Sequence, residues 1–329
     1  MVDSEIKDIL GLVNGFQAAK LVLVANNLHV FEAIENSPRS SLELAQVLDI
    51  DKRASEVLLN ALTALGLLEK KGGIFSTTMV VKSFLLPKSP NSLTHIFSHY
   101  NHCWQSWSDL EFTIRKGRPK ESEFLEGDFE RIETFIRGMD DVASLIVEQV
   151  IARVGLDGVE SILDLGGGPG TYAISFKEKR PELRVFLFDL SRTLKITRKM
   201  LSEKGKEGLI DIIEGDCSQD EMGGPYDMIW VSQLLHAQNE PWIQKVLLKA
   251  KKALYPKGKL VIHDFILDEN KTSPLKAAMF SAHMLAVTPE GKAYSRKELS
   301  EFLAKAGFTG IRVEEHVSEN TGLVFGYNS

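Results

Sequence analysis

The chain has 329 residues, a length that accommodates two domains, and its 43% hydrophobic and 26% charged content is that of a globular protein with ample core. A net charge of −6 and a pI near 5.8 argue against nucleic acid as the main partner, because neutralising phosphates needs a basic surface. Two cysteines, Cys103 and Cys217, are too few for a disulfide framework and suit a reducing compartment. The opening Met1-Val-Asp-Ser-Glu-Ile-Lys lacks the basic-then-apolar pattern of a signal peptide, and no apolar run of membrane-spanning length is expected. A cytoplasmic protein without a membrane partner is the expectation.

Helical periodicity runs from about Ile6 to Ile34, with Phe16, Ala19, Leu23, Leu28 and Phe31 on apolar faces. So broad a face suggests burial against a second subunit. Ser40 or Ser41 suits the cap of a short helix ending at Leu48, and a second helix runs from Arg53 to Leu65 and stops at Gly66. Leu67 to Thr77 then reads as a hairpin turning at Gly72-Gly73. Helix, turn, helix, hairpin describes a winged helix, which serves either to read DNA or to hold subunits together. Arg53, Glu56 and Asn60 on the second helix make a poor reader of the major groove.

Pro87 and Ser89-Pro90-Asn91 mark a connection, and a helical segment follows with His95, His99, His102, Cys103, Trp104 and Trp107. The three histidines fall near one helical face. A metal site, the wall of a substrate pocket and plain packing are all open for them; one helix rarely supplies every ligand, so no metal is expected. This helix is expected to close at Gly117, and a long one follows from about Glu130 to Val154, bearing Phe135, Met139 and Asp140. The boundary between an N-terminal domain (1–105) and a second domain (106–329) is placed before Trp107.

Ser161 to Leu165 is a short buried strand that runs into Gly166-Gly-Gly-Pro-Gly170 and then a helix beginning at Thr171. Strand, glycine turn and helix make a nucleotide-binding unit, with free N–H groups at the helix start facing a ligand. A dinucleotide fingerprint needs a third glycine where Thr171 stands, and the phosphate loop needs a Lys that is absent. What fits is Asp164-x-Gly166-x-Gly168-x-Gly170, which resembles motif I of the class I S-adenosylmethionine-dependent methyltransferases. A ligand with a sulfonium and an amino-acid end but no phosphate suits a loop with a carboxylate beside it.

Strands and helices alternate from here, as a parallel sheet requires. The second strand, Arg184 to Phe188, ends at Asp189-Leu190, where a carboxylate at the sheet's edge can accept both ribose hydroxyls. The third, Ile210 to Ile213, leads to Asp216-Cys217, beside the adenine in this fold; Asp216 either accepts the adenine amino hydrogens or forms a turn. The fourth, Tyr226 to Val231, ends in Ser232-Gln-Leu-Leu-His236. The fifth, Lys259 to Ile262, follows a turn at Lys257-Gly258 and ends in His263-Asp264. A last helix, Arg296 to Ala306, precedes strands around Ile311–Val313 and Leu323–Tyr327.

Taken together, the winged-helix start, Trp107…Arg115-Lys-Gly117-Arg-Pro119, Leu163 to Gly170, Asp189, Gly215-Asp216, Leu235-His236, Lys257 to Asp264 and Met284 to Lys292 resemble the small-molecule O-methyltransferases of the plant caffeate and bacterial polyketide, carotenoid and acetylserotonin type. The resemblance covers nearly the whole chain. It implies an α/β class I methyltransferase sheet with helices on both faces, preceded by a mainly helical winged-helix domain that forms a homodimer. It also implies S-adenosylmethionine as cofactor, S-adenosylhomocysteine as its product, and a small-molecule acceptor. Asp164, Gly166, Gly168, Gly170, Asp189, Leu190, Asp216, Cys217 and Ser232 are the expected cofactor residues. His236 falls on the family's general base and Asp264 on the acid that orients it. His99, Cys103, Trp107, Phe135, Met139, Met279 and His283 are expected to wall an acceptor pocket suited to a flat, largely apolar molecule.

The chain departs from the family pattern at two places. His-Asp-Trp is replaced by His236-Ala237-Gln238, and Gly-Lys-Glu-Arg-Thr by Gly291-Lys292-Ala293-Tyr294-Ser295. A less strongly activated base, a more acidic acceptor, methyl transfer to carbon, and a decarboxylase- or hydroxylase-like activity on the same scaffold all stay open on this reading.

Overall fold

The structure, a computed structural model, describes residues 2–120, 128–315, 317–318 and 321–329. Two compact units divide the chain, Met1–Trp104 and Gln105–Ser329.

The first unit opens with helices α1 (Val2–Asn27) and α2 (Val30–Glu35). The continuous periodicity read from the sequence is broken here because His29 takes a left-handed backbone, φ 55°. Ile6, Ile9, Leu10, Leu12, Val13 and Phe16 of α1 are exposed. By length and composition Glu5–Asn27 is a helix long and apolar enough to cross a membrane, which corrects the expectation that no apolar run reaches that length. The charges cluster at its start, Glu5, Lys7 and Asp8, and Lys20 alone interrupts the rest.

Strand β1 (Arg39–Ser40) leads into α3 (Ser41–Leu48), where Ser40 and Glu43 form a reciprocal capping box. Helix α4 (Lys52–Ala64) is capped by Asp51. Strands β2 (Leu68–Lys71) and β3 (Ile74–Thr77) form the hairpin, and β1 joins it in the order β1-β3-β2. Phe31, Ile34, Leu44, Leu59, Leu62 and Phe75 make the core of this unit. A short α5 (Met79–Phe84), capped by Thr78, follows. Helix α6 (Thr94–Ser108) runs across the boundary between the units.

In the second unit the single helix expected to reach Gly117 is two, because Asp109 leaves helical geometry (φ −90°, ψ 7°) and α7 (Leu110–Lys116) starts anew. Gly117 ends it in the left-handed conformation. Helix α8 (Phe129–Ile151) is followed by β4 (Ser161–Leu165), α9 (Thr171–Lys179), β5 (Arg184–Asp189), α10 (Ser191–Glu203) and β6 (Asp211–Glu214). Next come β7 (Tyr226–Ser232), a single 3₁₀ turn at Leu235–Ala237, α11 (Glu240–Lys252), β8 (Leu254–Asp264) and β9 (Ile266–Leu267). The chain finishes with α12 (Leu275–Val287), β10 (Tyr294–Ser295), α13 (Arg296–Lys305), β11 (Thr309–Glu314) and β12 (Gly322–Tyr327).

The main sheet has seven strands in the order β11-β12-β8-β7-β4-β5-β6. From β8 to β6 neighbours are parallel, and β12 pairs antiparallel with both β8 and β11. Lys257 and Gly258, expected in a turn, lie inside β8. Lys257 takes φ 66°, and a register shift between Tyr226 and Met228 lets β7 follow the distorted strand. Two cores flank the sheet, one built on Leu165, Ile229 and Ile262, the other on Ile162, Trp230 and Val261. The chain goes outward from β4 to β5 and β6, then returns to lay β7 on the other side of β4. The carboxyl ends of β4 and β7 are therefore a topological switch point, where open α/β sheets bind ligands.

Candidate active site

All five residues of β4 are buried, as a central parallel strand requires. Its glycine loop puts Gly166, Gly168 and Gly170 at φ 70°, 52° and 82°, a region in which a Cβ is disfavoured. Gly167 is constrained by space instead: a Cβ there would lie 2.7 Å from Leu187 Cγ and 2.9 Å from Asp164 Oδ2. Asp164 therefore backs the loop from inside the sheet, 1% exposed, hydrogen-bonded to the Ala173 backbone at the head of α9. Its Oδ2 has no hydrogen-bond partner among the described residues. Burial, with Asp189 nearby, pushes its carboxyl up to about 7.

Asp189 closes β5. Its Oδ2 accepts the Gly168 N–H at 2.8 Å and its Oδ1 the Leu190 N–H at 2.7 Å. Burial raises its pKa. A carboxylate has about four lone-pair sites; with the Thr193 hydroxyl as a third donor, capacity is left for a ligand hydroxyl. Thr197 Oγ1 donates to Gly168 O at 2.6 Å and ties the loop to α10. Thr171 Oγ1 donates to Asp140 Oδ1 at 2.6 Å, and Lys204 holds the other oxygen of Asp140 at 2.6 Å, so α8, α9 and α10 brace the loop together.

Asp216 does form a turn: its Oδ1 accepts the Ser218 N–H at 2.8 Å, and its own N–H donates to Asp220 Oδ2 at 2.8 Å. Cys217, beside it, is a free thiol pushed up to about 12 by burial and by Asp216 and Asp189. Ser232, at the end of β7, bonds through its hydroxyl to His263 Nδ1 at 2.8 Å. That histidine is fully buried, stacked on Trp230 and bonded to Thr321 Oγ1 at 2.8 Å; burial holds its pKa down to about 4, so it is neutral.

The carboxyl ends of β7 and β8 bring His236 and Asp264 together. His236 Nδ1 lies 2.7 Å from Asp264 Oδ1, with the residues 6% and 2% exposed. Asp264 Oδ1 also accepts the Phe265 N–H at 2.8 Å, and Oδ2 has no hydrogen-bond partner among the described residues. The carboxylate fixes the tautomer with the proton on Nδ1, which leaves the Nε2 lone pair as a base. Phe280 stands edge-on to the His236 ring at 4.7 Å and stacks on Phe265 at 4.0 Å. Sequence reading missed Phe280; its place three residues before His283 on one helix, hence on the same face, was the available signal.

His283 accepts the Trp107 Nε1–H at its Nδ1, 3.1 Å, and the rings stack at 6.1 Å. Burial and the neighbouring His236 hold its pKa down to about 4. Met279, one turn earlier, is 52% exposed. Phe135 packs on a cluster of Ile132, Ile136, Ile196 and Met200, and Met139 is half-buried on the same helix. His99 and Cys103 belong to the first unit, where Cys103 Sγ lies 3.4 Å from His99 Nε2, one helical turn apart.

The loop fits the cofactor that the sequence suggested. Residues 164–172 carry no basic side chain for a phosphate. The position of a Cβ on Gly168 meets nothing within 4 Å. An unpartnered buried carboxylate oxygen backs the loop, and a second carboxylate stands at its rim. Such a cradle favours a cationic ligand with hydroxyls over a phosphate.

Comparison with known proteins agrees. The family model of the O-methyltransferase domain matches residues 107–309, and that of the O-methyltransferase dimerisation domain matches residues 10–87. The chain is 29% identical over 326 residues to 3-hydroxy-5-methyl-1-naphthoate 3-O-methyltransferase of Streptomyces sahachiroi, covering 96% of this chain and 93% of that one. It is 29% identical over 318 residues to acetylserotonin O-methyltransferase of Gallus gallus, covering 91% of each. Among solved structures, human N-acetylserotonin methyltransferase in complex with S-adenosylmethionine superposes with a TM-score of 0.90 at 22% identity, covering 99% of this chain and 98% of that one.

Proposed function

The chain belongs to the S-adenosylmethionine-dependent O-methyltransferase family, and on that premise we propose that it methylates a hydroxyl of a flat, largely apolar aromatic or polyketide-like molecule, with His236 as general base. The observation that carries this reading is the buried 2.7 Å bond between His236 Nδ1 and Asp264 Oδ1 at the ends of β7 and β8. When bound, the cofactor supplies an activated methyl group on a sulfonium and leaves as the neutral thioether S-adenosylhomocysteine.

The protein's own part is alignment and proton removal. A hydroxyl is a poor nucleophile until its proton is taken, and His236 Nε2 would take it as the methyl group passed from the sulfonium to the acceptor oxygen. Asp264 stabilises the imidazolium that results. The glycine loop, with Asp164 behind it, would hold the amino-acid end of the cofactor; Asp189 would accept its ribose hydroxyls, Leu190, Asp216 and Cys217 would line the adenine side, and Ser232 at the end of β7 would contribute from the other side of β4. Trp107, Phe265, Phe280 and His283 supply the aromatic surface against which a flat acceptor packs, with Phe135, Met139 and Met279 contributing to the acceptor's side.

The match to a dimerisation domain supports a homodimer. We assign the exposed apolar side chains of α1 to that contact rather than to lipid, since the matched region contains most of the helix. Nucleic acid is not a partner on this reading: Asn60 of α4 already accepts the Lys70 ammonium at 2.8 Å, and the chain is acidic. Only two cysteines in the chain fit a cytoplasmic setting.

The test is incubation with methyl-labelled S-adenosylmethionine and a panel of hydroxynaphthoates, N-acetylserotonin and hydroxyquinones. Label is expected on an acceptor oxygen. Tight cofactor binding with no transfer to any member would count against this acceptor class, and label on carbon would move the reading to C-methylation.

A further inference from the structure

Ala293 stands where the resemblance leads one to expect a second acidic partner for the base. Its side chain is buried in an apolar cluster with Leu267 and Ala277, next to Phe265 and Phe280, so no charge reaches His236 from that position. The segment around it nevertheless holds the base by other means.

Lys292 N–H donates to the backbone carbonyl of His236 at 2.8 Å. Tyr294, 3% exposed, donates its hydroxyl to the carbonyl of Gln238 at 2.6 Å. The 3₁₀ turn that presents His236 is thus gripped within it and just beyond it. Two residues past Asp264, β9 pairs in parallel with β10, Ile266 with Tyr294 and Leu267 with Ser295. One stretch of chain therefore crosses both loops that carry the His236–Asp264 bond, although the two residues are 28 apart in sequence.

Gly291 is where that stretch lies closest to the base. A Cβ there would stand 2.6 Å from His236 O and 3.2 Å from Ala237 Cα, and would strike Thr288 Oγ1. The Thr288 hydroxyl accepts the Gly291 N–H at 2.8 Å and donates to Met284 O at 2.7 Å, which anchors the segment to the end of α12. Ala293 N–H donates to Ser281 Oγ at 3.2 Å, farther back on the same helix. The helix that carries Phe280 and His283 is thereby linked to the backbone of His236.

We propose that residues 288–295 form a strap that sets the backbone of both His236 and Asp264, with Gly291 as a positioning residue for the base. The inference rests on the reading of His236 as general base. The support comes from main-chain contacts. These fix where Nε2 stands without adding charge around it.

The experiment uses the full-length chain with labelled S-adenosylmethionine and the best acceptor of the panel above. Gly291→Ala is expected to lower kcat about ten- to hundredfold, the scale set by an ångström of misplacement at a reacting group. Cofactor Kd by calorimetry should stay within about twofold, since the cofactor loop is held by other contacts. In a His236→Ala background the same substitution should cost less than about twofold, because two changes acting through one residue are not additive. The low-field proton resonance of His236 Nδ1–H in its bond to Asp264 should shift or vanish in the Gly291→Ala protein.

An equal loss of kcat in both backgrounds, or an unmoved resonance, overturns the strap. If His236→Ala retains wild-type turnover, the base assignment fails instead, and the resonance still decides whether the strap positions the ring. Should Gly291→Ala not fold, Tyr294→Phe removes only the hydroxyl bonded to Gln238 O. It is expected to lower kcat by about two- to tenfold, the cost of one buried hydrogen bond, with the same resonance as readout.

Discussion

The two edges of this site are built differently. On the cofactor side, the glycine loop and Asp189 hold each other through backbone N–H bonds, and most of the contacts lie on consecutive strands and their loops. On the base side, His236, Asp264 and the 288–295 segment come from three stretches of chain that meet only after β7, β8, β9 and β10 have paired. The first edge is local and preset by backbone conformation. The second is assembled, so its geometry depends on contacts some distance from the reacting atoms. Binding and chemistry should therefore respond to different substitutions.

The largest separation is expected from His236→Ala, which should lower kcat by about 10²- to 10⁴-fold while leaving cofactor Kd unchanged by calorimetry. A matching rise in Kd would erase the distinction between the edges. Asp189→Ala should do the reverse: cofactor Kd rises about tenfold or more as buried groups lose their acceptor, while turnover at saturating cofactor stays close to wild type.

Acidification should also act on the cofactor side. Asp164, with its pKa at about 7, is ionised at pH 8 and largely protonated at pH 6, and a cationic ligand favours the ionised form. Cofactor affinity should then fall by up to about tenfold per pH unit below 7, a trend that Asp164→Asn should flatten; an unchanged slope in that variant would assign the dependence elsewhere. The smallest effect is expected from Trp107→Phe, which keeps the stack on His283 but removes the N–H donor. KM for the acceptor should rise about two- to tenfold, on the scale of one hydrogen bond, with cofactor Kd unmoved.

The same contrast explains what the sequence made legible. Asp164-x-Gly166-x-Gly168-x-Gly170 is readable because each glycine answers a local backbone demand, while Thr171 in place of a third glycine rejects the dinucleotide fingerprint and the absence of a Lys rejects the phosphate loop. The alternation of strands and helices from Ser161 onward led to a parallel sheet, and the resemblance, beginning with the glycine motif, led to the class I methyltransferase fold and its cofactor. Other features depend on partners that periodicity does not see. Helix α1 ends where His29 turns left-handed, and β8 extends back to Leu254 through a distortion matched only by its neighbour β7. The strap was invisible for the same reason: Lys292 meets His236 O through a main-chain bond that no side chain announces. Ala293 drew notice only as a missing acid, yet its burial with Leu267 and Ala277 shows why a carboxylate does not suit that position.

The exposed apolar face of α1 ties the behaviour of the folded protein to how much of it is present. A lone copy leaves Ile9, Leu12, Val13 and Phe16 in water, whereas pairing through the proposed α1 contact would remove that surface in the assembled state only. By mass action the resistance to heat should then climb with protein concentration, and dilution should cost stability before it touches any catalytic group. For an enzyme so built, abundance in the cell is itself a stabilising ligand.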